Sequence, residues 1–480
     1  MQLSKYRING EVMKRGKYLA KNTLLFALNV VGTKLITFLL VPLYTGAFST
    51  TEYGVVDLIN TIAVILVPVI TLNIGEAIMR FGLDKDVEKN DISTVGILFA
   101  FLSLGIGLIV FPILKLFSSI NIDYSLVYLF CVSQGLYITF SYNLRGQEKL
   151  IQYAIGNIIC TFLMAILNIV FLVVLKCGVK GYFYAYIISY IISTLYCVIS
   201  GDVLKVFNAF SVKRDLIKKM VKYSIVLVPN SFMWWIMNSS DHIMVTAMIN
   251  ISANGIYAIS YRIPSITAAF SQVFNQAWSY SAISEDKSAD RTEFYNDMFD
   301  KFVCFQFFLT TCLILVIKPF LRIYVSQAYY EAWKYTPYLL IGYFFSSLGT
   351  FLSTSYTVSK DSKGFLVSGT MGAVINIFLN GLLIPIIGIH GAAFATCVSY
   401  IVVFLYRYYD IKKYVVINVW SGKYIKFYMM LIAVAFSMFI PEKKGNIILL
   451  IELIIAVLLD YGFIMECVKL VKVLLIKIRR

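Results

Sequence analysis

Charged side chains are scarce in this chain of 480 residues. They make up 14% of it, whereas hydrophobic residues make up 59% and the mean hydropathy is +0.79. A soluble globular domain carries about 25% charged residues, so that class is excluded. Only two histidines occur, and no Gly-rich phosphate loop precedes a helix, so neither an enzyme constellation nor ATP-driven transport has support. We therefore expect no catalytic residues, no enzyme activity and no cofactor.

The cysteines of the chain do not form a recognisable motif. The eight cysteines are scattered through apolar stretches without a CxxC pair, which argues against a zinc site, another metal site or a disulfide framework. The net charge of +16 is not gathered into a basic cluster interleaved with exposed aromatics. Nucleic acid is therefore not an expected partner.

Long apolar runs are what the chain does have. Each can cross a bilayer as a helix, which needs about 20 residues. The sequence predicts an all-α integral membrane protein with about fourteen transmembrane helices. The predicted spans are 22–44, 54–80, 92–116, 124–143, 150–175, 181–201, 221–248, 255–283, 293–317, 336–358, 364–386, 391–410, 423–440 and 446–468.

The distribution of Lys and Arg predicts the orientation of these spans. With the N-terminus inside, the inner segments hold about four times as many Lys and Arg residues as the outer loops, which is the positive-inside bias. The first span is too long for a signal peptide and lacks a small-residue cleavage site. We expect a multi-pass protein of the bacterial cytoplasmic membrane with both termini in the cytoplasm.

Two spacings repeat along the chain. The interval from Lys21 to Gly54 recurs from Lys222 to Gly255, at an offset of 201 residues, and Gly178–Gly181 recurs as Gly388–Gly391, at an offset of 210. Such doubled units are the architecture of many transporters, with the substrate site between the halves. The predicted organisation is two six-helix bundles related by a pseudo-two-fold axis, followed by two further helices. The bundles cover 1–201 and 221–410, a basic cytoplasmic linker covers 202–220, and helices 13 and 14 with a basic tail cover 411–480.

Charged residues inside a membrane are costly and therefore informative. Lys34 lies twelve residues into the first span, so it faces either a wet cavity or an acidic partner. Asp241 and Arg262 lie at similar depth on one helical hairpin, either as a structural ion pair or with Arg262 offered to a phosphate and Asp241 as its resting partner. These charges do not follow the repeat, because Lys34 corresponds to Trp235 and Arg262 to Thr61.

Other polar and aromatic residues join these candidates. Arg80 follows Glu76 by four residues, a spacing typical of a local salt bridge. Asp57 lies in the first predicted turn of the second span, where a helix N-terminus favours a carboxylate. Asn275 adds a hydrogen-bonding amide, and Trp234, Trp235 and Trp278 could stack on sugar rings. We predict a substrate site containing Lys34, Asp57, Arg80, Trp235, Asp241, Arg262 and Asn275.

Prolines interrupt several spans. A proline within a helix removes one backbone hydrogen bond, which either bends the helix for packing or creates a moving hinge. Pro68, Pro229 and Pro264 are the best hinge candidates, because they lie well inside spans and next to polar residues.

Four stretches resemble the polysaccharide-transporter branch of the MOP (multidrug/oligosaccharidyl-lipid/polysaccharide) exporter superfamily, which includes Wzx-type flippases. They are Leu19–Leu24 with Glu52–Gly54, Gly255–Ala258 with Tyr261 and Arg262, Tyr330–Ala332, and Gly388–Thr396. The resemblance implies a V-shaped pair of bundles, alternating access and export of an undecaprenyl-pyrophosphate-linked oligosaccharide. In the peptidoglycan-precursor flippases of the superfamily, an arginine on helix eight faces the cavity, and Arg262 occupies that place. Those relatives carry further cavity arginines where this chain offers Lys34, which favours a capsule or surface-polysaccharide substrate.

We accordingly expect Arg262 and Lys34 to hold the pyrophosphate while polar and aromatic residues hold the glycan. The expected partners are the lipid-linked oligosaccharide and membrane lipids, with a polysaccharide polymerase and glycosyltransferases nearby, and the expected state is a monomer. Two other classes stay open. A MATE-like drug or cation antiporter would use acidic cavity residues such as Asp57 or Asp241, and a membrane glycosyltransferase or O-antigen polymerase would carry a large external loop.

Overall fold

The computed structural model describes residues 32–84, 86–117, 123–208, 212–285, 288, 290–359 and 361–478. These residues are helical almost throughout, and no strand occurs among them. Seven of the described helices are long and apolar enough to cross a membrane by length and composition. The predicted all-α membrane fold is therefore confirmed, whereas the total of fourteen spans stays a prediction.

The chain divides into two compact units between Trp235 and Ile236. This division falls within a helix, and the boundaries inferred from the repeat stay a prediction. In the N-terminal unit, helical residues 32–39 precede seven α-helices. These are α1 (Val41–Ala47), α2 (Thr50–Ile70), α3 (Ile74–Gly82), α4 (Lys89–Phe117), α5 (Tyr124–Gly146), α6 (Leu150–Ile169, continued by a π-helical turn, Val170–Val174) and α7 (Gly178–Ser200).

Helix α8 (Arg214–Met248) contains the division between the units. The C-terminal unit continues with nine helices and two short 3₁₀ segments, Gln327–Lys334 and Ile411–Lys413. The helices are α9 (Ile251–Ser260), α10 (Pro264–Ser284), α11 (Arg291–Tyr324), α12 (Thr336–Val358), α13 (Ser362–Ile387), α14 (Ile389–Asp410), α15 (Gly422–Ser437), α16 (Glu442–Leu459) and α17 (Tyr461–Ile478).

The sequence repeat corresponds to repeated backbone geometry. Gly178 and Gly388 open α7 and α14 with φ of +57° and +60°, a left-handed conformation that favours glycine. A Cβ on Gly181 would lie 2.8 Å from Cys177 Cβ, and one on Gly391 would lie 2.5 Å from the Leu383 carbonyl. The two Gly-x-x-Gly segments are thus the same tight turn, built once in each unit.

The start of the second helix in each unit is also equivalent. The Ser49 hydroxyl accepts a hydrogen bond from the Glu52 amide at the start of α2, and the Glu52 carboxylate accepts one from the Ser49 amide, forming a capping box. Asn250 accepts from the Ala253 amide at the start of α9. Ser49 and Asn250 are related by the offset of 201, so both copies begin this helix with a side-chain cap.

Several predicted spans are interrupted rather than continuous within the described residues. Span 54–80 breaks between α2 and α3, where Leu72 and Asn73 both have φ of +51°, four to five residues after Pro68. Span 255–283 breaks before Pro264, which begins α10 because it lacks the amide that a helix interior needs. Span 446–468 breaks at Asp460. By contrast, α8 runs through position 229 without a break.

Candidate functional site

Arg262 lies at the interruption between α9 and α10. Its backbone amide donates to the Ile259 carbonyl (3.0 Å), and its carbonyl accepts from the Ser265 hydroxyl (2.6 Å), so the backbone of the break is itself hydrogen-bonded. The side chain is half-buried. Interrupted helices in membranes are tolerated where the irregular backbone lines a cavity or is covered by protein. Arg262, which the sequence analysis predicts as a substrate ligand, thus lies where its predicted span is interrupted.

Lys34 lies in the helical residues 32–39 and is exposed. Its carbonyl accepts a hydrogen bond from the Thr37 hydroxyl (2.9 Å). Leu35 and Leu39 beside it are exposed as well. The first part of span 22–44 lies outside the described residues, so the surroundings predicted for Lys34 stay a prediction.

Two interpretations of acidic and basic residues in the N-terminal unit are wrong. Asp57 is the eighth residue of α2, because the Ser49–Glu52 capping box starts this helix earlier than the sequence predicted. It therefore lies beyond the first turn, where the helix dipole acts. No ion pair joins Glu76 to Arg80 within the described part of the chain, and Arg80 is exposed at the last turn of α3.

Trp235 and Thr61, the repeat counterparts of Lys34 and Arg262, contact each other. The Trp235 indole Nε1–H donates to the Thr61 carbonyl at 2.8 Å, and the indole stacks on Phe232 with centroids 5.8 Å apart. This hydrogen bond connects α8 to α2 within the N-terminal unit. The indole face is thus partly occupied by Phe232, which weakens the predicted sugar-stacking role.

Asn275 on α10 has an unsatisfied side chain. Both its amide nitrogen and its amide oxygen are buried and lack hydrogen-bond partners in the described structure. One turn earlier, the Ser271 hydroxyl contacts Ser347 Oγ (2.6 Å) and accepts from Gln306 Nε2 (2.7 Å), while the Gln306 carbonyl oxygen is also without a partner. Buried amides are normally satisfied, so the middle of α10 has hydrogen-bonding capacity for water or a polar ligand.

Trp278, a further aromatic considered for sugar stacking, is a core residue. It is buried, stacks on Phe351 with centroids 4.4 Å apart and meets Tyr295 edge-on at 4.8 Å. Its contribution is to the packing of α10, α11 and α12. Trp234 lies where the side chains are not described.

The most organised polar group surrounds Asp241 on α8. Asp241 is 2% exposed, and its Oδ2 accepts from the Tyr257 hydroxyl (2.7 Å), the Thr396 hydroxyl (3.1 Å) and the Tyr261 hydroxyl. Its Oδ1 accepts from the His242 amide (3.0 Å). Four hydrogen-bond donors thus surround this carboxyl group. We call Asp241, Tyr257, Tyr261 and Thr396 the carboxylate cluster.

The predicted pairing of Asp241 with Arg262 is not found, since hydroxyl groups and one amide occupy the carboxylate. The α9 segment that precedes Arg262 carries Tyr257 and Tyr261 four residues apart, so both hydroxyls project from one face toward Asp241. Asp241 is therefore buried within the C-terminal unit and does not offer its charge to a substrate in this conformation.

A second layer of polar side chains supports the carboxylate cluster. The Asn376 amide donates to Thr396 Oγ1 (3.2 Å), and the Asn376 carbonyl oxygen accepts from Ser240 (3.2 Å) and Asn380 (2.9 Å). The Asn380 carbonyl oxygen is buried without a partner. Hard oxygens from a carboxylate, a hydroxyl and two amides are the groups that hold a proton or a small cation. The described residues contain no group of three His, Cys, Asp or Glu that could hold a metal ion.

Sequence reasoning identified Asp241 but missed the residues around it. Tyr257, Tyr261 and Thr396 belonged to segments used only for the family resemblance. The signal available was the pair of tyrosines at helical spacing following a buried aspartate on the preceding helix. Thr396 and Asn376 could not have been added, because they reach the cluster from helices more than a hundred residues away.

Comparison with known proteins identifies the family. Residues 19–285 match the family described as polysaccharide biosynthesis protein, which is more than half of the chain. The chain belongs to this family. No match was found among curated proteins.

The fold of this chain is shared with solved transporters. It is similar to the lipid II flippase MurJ in an inward closed conformation, with a TM-score of 0.62 and 16% identity, over 92% of this chain and 98% of that one. It is also similar to a multidrug resistance MATE transporter of the MOP superfamily in an inward-facing conformation, with a TM-score of 0.62 and 12% identity, over 85% and 98% of the two chains. A MOP superfamily transporter from Pyrococcus furiosus, described by a reverse polarity of its binding pocket, gives 0.55 and 13%, over 86% and 95%.

Proposed function

We propose that this protein is a flippase that moves an undecaprenyl-pyrophosphate-linked oligosaccharide across the bacterial cytoplasmic membrane by alternating access. The observation that carries the proposal is the family match combined with the polarity of the candidate residues. The half-buried Arg262 lies at a break in its span, whereas the buried Asp241 is enclosed by hydroxyls. A guanidinium binds phosphate oxygens through paired hydrogen bonds, which suits a pyrophosphate.

Lys34 is the second proposed phosphate ligand. The repeat places the neutral residue Trp235 at the position equivalent to Lys34 and the neutral residue Thr61 at the position equivalent to Arg262. Trp235 and Thr61 are hydrogen-bonded to each other. The glycan would be held by amides with spare capacity, of which Asn275 is the clearest. Arg80, Asp57 and Trp235 are weaker candidates for the same cavity. Both termini are proposed to be cytoplasmic, with the substrate moving toward the outer leaflet.

The alternative of a MATE-like antiporter for cationic drugs would require an accessible acidic side chain. Asp241 does not meet this requirement because it is 2% exposed and its oxygens already accept four hydrogen bonds. Its proposed role is to bind the coupling proton or cation while the cationic residues bind the substrate. Fold alone does not choose between the two functions, since flippase and drug transporter structures both share it.

The proposal is tested by surface polysaccharide production in a strain that lacks the native gene. Expression of the wild-type chain should restore the polysaccharide, and Arg262→Ala should not. Arg214→Ala, at the exposed start of α8, is the matched control and should restore it fully. Without the protein, lipid-linked glycan should accumulate on the cytoplasmic face. Normal polysaccharide from Arg262→Ala at equal expression would disprove the role of Arg262.

A further inference from the structure

Tyr261 connects the two most informative parts of the candidate site. Its hydroxyl donates to Asp241 Oδ2, and it is the residue before Arg262 at the interruption between α9 and α10. Its carbonyl accepts from the Ser265 amide in the first turn of α10 (3.0 Å). One residue is therefore bonded through its side chain to the buried carboxyl group and through its backbone to the helix that follows Arg262.

The hydrogen bonds on Asp241 Oδ2 are crowded. Three hydroxyls donate to this oxygen, those of Tyr257 (2.7 Å), Thr396 (3.1 Å) and Tyr261, whereas a carboxyl oxygen has only two lone pairs. The two tyrosine hydroxyls lie 3.1 Å apart, so one of them can donate to the other instead. One of the three contacts to Oδ2 is consequently replaceable.

Tyr261 is the contact that can give way. Tyr257 lies inside α9 and is fully buried, and Thr396 is 1% exposed and also accepts from the Asn376 amide (3.2 Å). Tyr261 is only half-buried and lies beyond the last regular turn of α9. A ligand that competes for Asp241 Oδ2 therefore displaces Tyr261 before the other two hydroxyls.

The backbone at the interruption passes this displacement to Arg262. Pro264 has no amide, so the Ser260 carbonyl accepts from the Thr336 hydroxyl (3.4 Å) instead of closing a regular helical turn. The peptide between Tyr261 and Arg262 is planar, so the chain has few dihedral angles with which to absorb a movement between them. Displacement of Tyr261 therefore repositions Arg262.

The repeat shows that the helical scaffold does not need this arrangement. Asn60 stands at the position equivalent to Tyr261 and donates to the Val56 carbonyl within its own helix (2.7 Å). Thr61 stands at the position equivalent to Arg262, and α2 continues through both residues. At these described positions the N-terminal unit has neither a cation nor a helix break, so packing alone does not explain them in the C-terminal unit.

We propose that Tyr261 is a positioning residue, whose hydrogen bond to Asp241 holds Arg262 where it binds the pyrophosphate of the substrate. The coupling ion on Asp241 displaces Tyr261 and so alters Arg262, which makes the ion site and the substrate site interdependent. Such interdependence is reciprocal, because each ligand changes the affinity for the other by the same factor. This inference rests on the roles proposed above for Asp241 and Arg262 and adds the residue that connects them.

The experiment measures the affinity of the purified full-length protein in detergent for undecaprenyl pyrophosphate. Tyr261→Phe removes the hydroxyl but keeps the ring, and it should weaken binding about tenfold, which is about 1.4 kcal/mol. Tyr257→Phe removes a hydroxyl from the same oxygen of Asp241, one turn before the interruption, and should weaken binding by no more than about twofold. Equal losses in the two variants would overturn the proposal.

The same change in a protein without Arg262 separates positioning from a general loss of structure. Arg262→Ala alone should weaken binding about 10-fold to 100-fold, as expected for loss of a charged hydrogen bond. Adding Tyr261→Phe to Arg262→Ala should produce no further loss, since the tyrosine acts only through the arginine. A further tenfold loss in the double variant, beyond Arg262→Ala alone, would overturn the proposal.

Tyr261→Asn tests the same link if Tyr261→Phe fails to fold. It introduces the residue found at the equivalent position, Asn60, whose shorter side chain does not reach Asp241. It should weaken binding about tenfold when Arg262 is present and not at all in the Arg262→Ala protein. Wild-type affinity in Arg262→Ala would contradict the proposed function itself. Weak binding in Arg262→Ala with wild-type affinity in both Tyr261 variants would contradict only the positioning role.

Discussion

The two units place different chemistry at equivalent positions of one helical repeat. In the C-terminal unit, Asp241 is surrounded by the hydroxyls of Tyr257, Tyr261 and Thr396. The repeat offsets map these four residues onto Leu40, Val56, Asn60 and Tyr186. In the N-terminal unit this region is an aromatic cluster, in which Tyr182 lies 4.5 Å from Tyr186 and 5.4 Å from Tyr44, measured between ring centroids.

The difference indicates which unit carries a charge-dependent role. An aromatic cluster stabilises a unit by packing and requires no charge. A buried carboxylate is costly unless every oxygen is satisfied, and here two layers of polar side chains serve that purpose. For stability alone, such a polar network has no advantage over the aromatic cluster at the equivalent place in the N-terminal unit. We therefore propose that the N-terminal cluster contributes stability and that the carboxylate cluster contributes to coupling.

The largest expected effect follows from neutralising Asp241. Asp241→Asn keeps the side-chain shape but replaces one of the two accepting carboxyl oxygens with an NH₂ group, which cannot accept a hydrogen bond. We expect the transport rate to fall about 100-fold, since hydrogen bonds to a charged group contribute up to about 3 kcal/mol each. The measurement is translocation of lipid-linked oligosaccharide in proteoliposomes.

Asn60→Leu is the matched change in the N-terminal unit. Asn60 is the counterpart of Tyr261 and donates to the Val56 carbonyl (2.7 Å) and to the Tyr182 hydroxyl (3.1 Å). This variant should transport at close to the wild-type rate. Equal losses in the two variants would remove the distinction between the units.

A smaller effect is expected from removing single hydroxyls. Tyr257→Phe takes a donor from the buried carboxylate and should lower the free energy of unfolding by about 2 kcal/mol. Tyr182→Phe removes a neutral hydroxyl that accepts from the Asn60 amide and should cost about 1 kcal/mol. Thermal unfolding of both variants in one detergent measures the difference. A larger loss for Tyr182→Phe would reverse the comparison.

Much of the fold could be predicted from the sequence, because it depends on local signals. Apolar runs predicted membrane helices, and Gly178–Gly181 with Gly388–Gly391 predicted equivalent turns. The helix breaks before Ile74 and Pro264 were harder to predict from the sequence. Proline marked both regions, but the first break is realised at Leu72 and Asn73, whose left-handed backbone no local preference predicts for a leucine.

The site was predicted less completely than the fold. Single charges in apolar runs stand out, so Lys34, Asp241 and Arg262 could be identified. Their partners could not, because hydrogen bonds such as that from Thr396 to Asp241 depend on how distant helices pack. For the same reason, the sequence suggested Arg262 as the partner of Asp241. In the structure the partners of Asp241 are hydroxyl groups.

A third comparison concerns the counterparts of the two cations. Trp235→Phe keeps an aromatic ring against Phe232 but removes the indole donor to the Thr61 carbonyl. The free energy of unfolding should fall by about 1 kcal/mol, the typical net contribution of a hydrogen bond. Transport of the lipid-linked oligosaccharide should be retained. A loss of transport without a loss of stability would instead assign Trp235 to the substrate, as predicted from the sequence.

The smallest effect concerns the equivalent helices α6 and α13. Asp361 caps α13 by accepting from the Gly364 amide (3.2 Å), whereas Lys149, the residue before α6, makes no side-chain capping hydrogen bond. The Tyr414 hydroxyl (2.7 Å) lowers the pKa of Asp361 from 3.8 to about 2. Because the folded pKa is depressed, this stabilisation is present above about pH 4 and is lost as the pH falls through about 2.

Hydrogen exchange at the first turn of each helix measures this effect. Protection at the start of α13 should decrease between pH 4 and pH 2, after correction for the intrinsic exchange rate, while the start of α6 should change little. Asp361→Asn should remove the pH dependence. Parallel behaviour of the two helix starts would show that the Asp361 cap contributes nothing to the difference.

The central claim is that Arg262, at the break before α10, binds the pyrophosphate of the substrate. The most direct measurement is the initial rate of translocation of an undecaprenyl-pyrophosphate-linked oligosaccharide by the purified protein in proteoliposomes. Arg262→Ala should reduce the rate by about 10-fold to 100-fold, as expected for loss of a charged hydrogen bond, and Arg262→Lys should retain part of it. An Arg262→Ala protein that translocates the substrate at the wild-type rate would contradict the account.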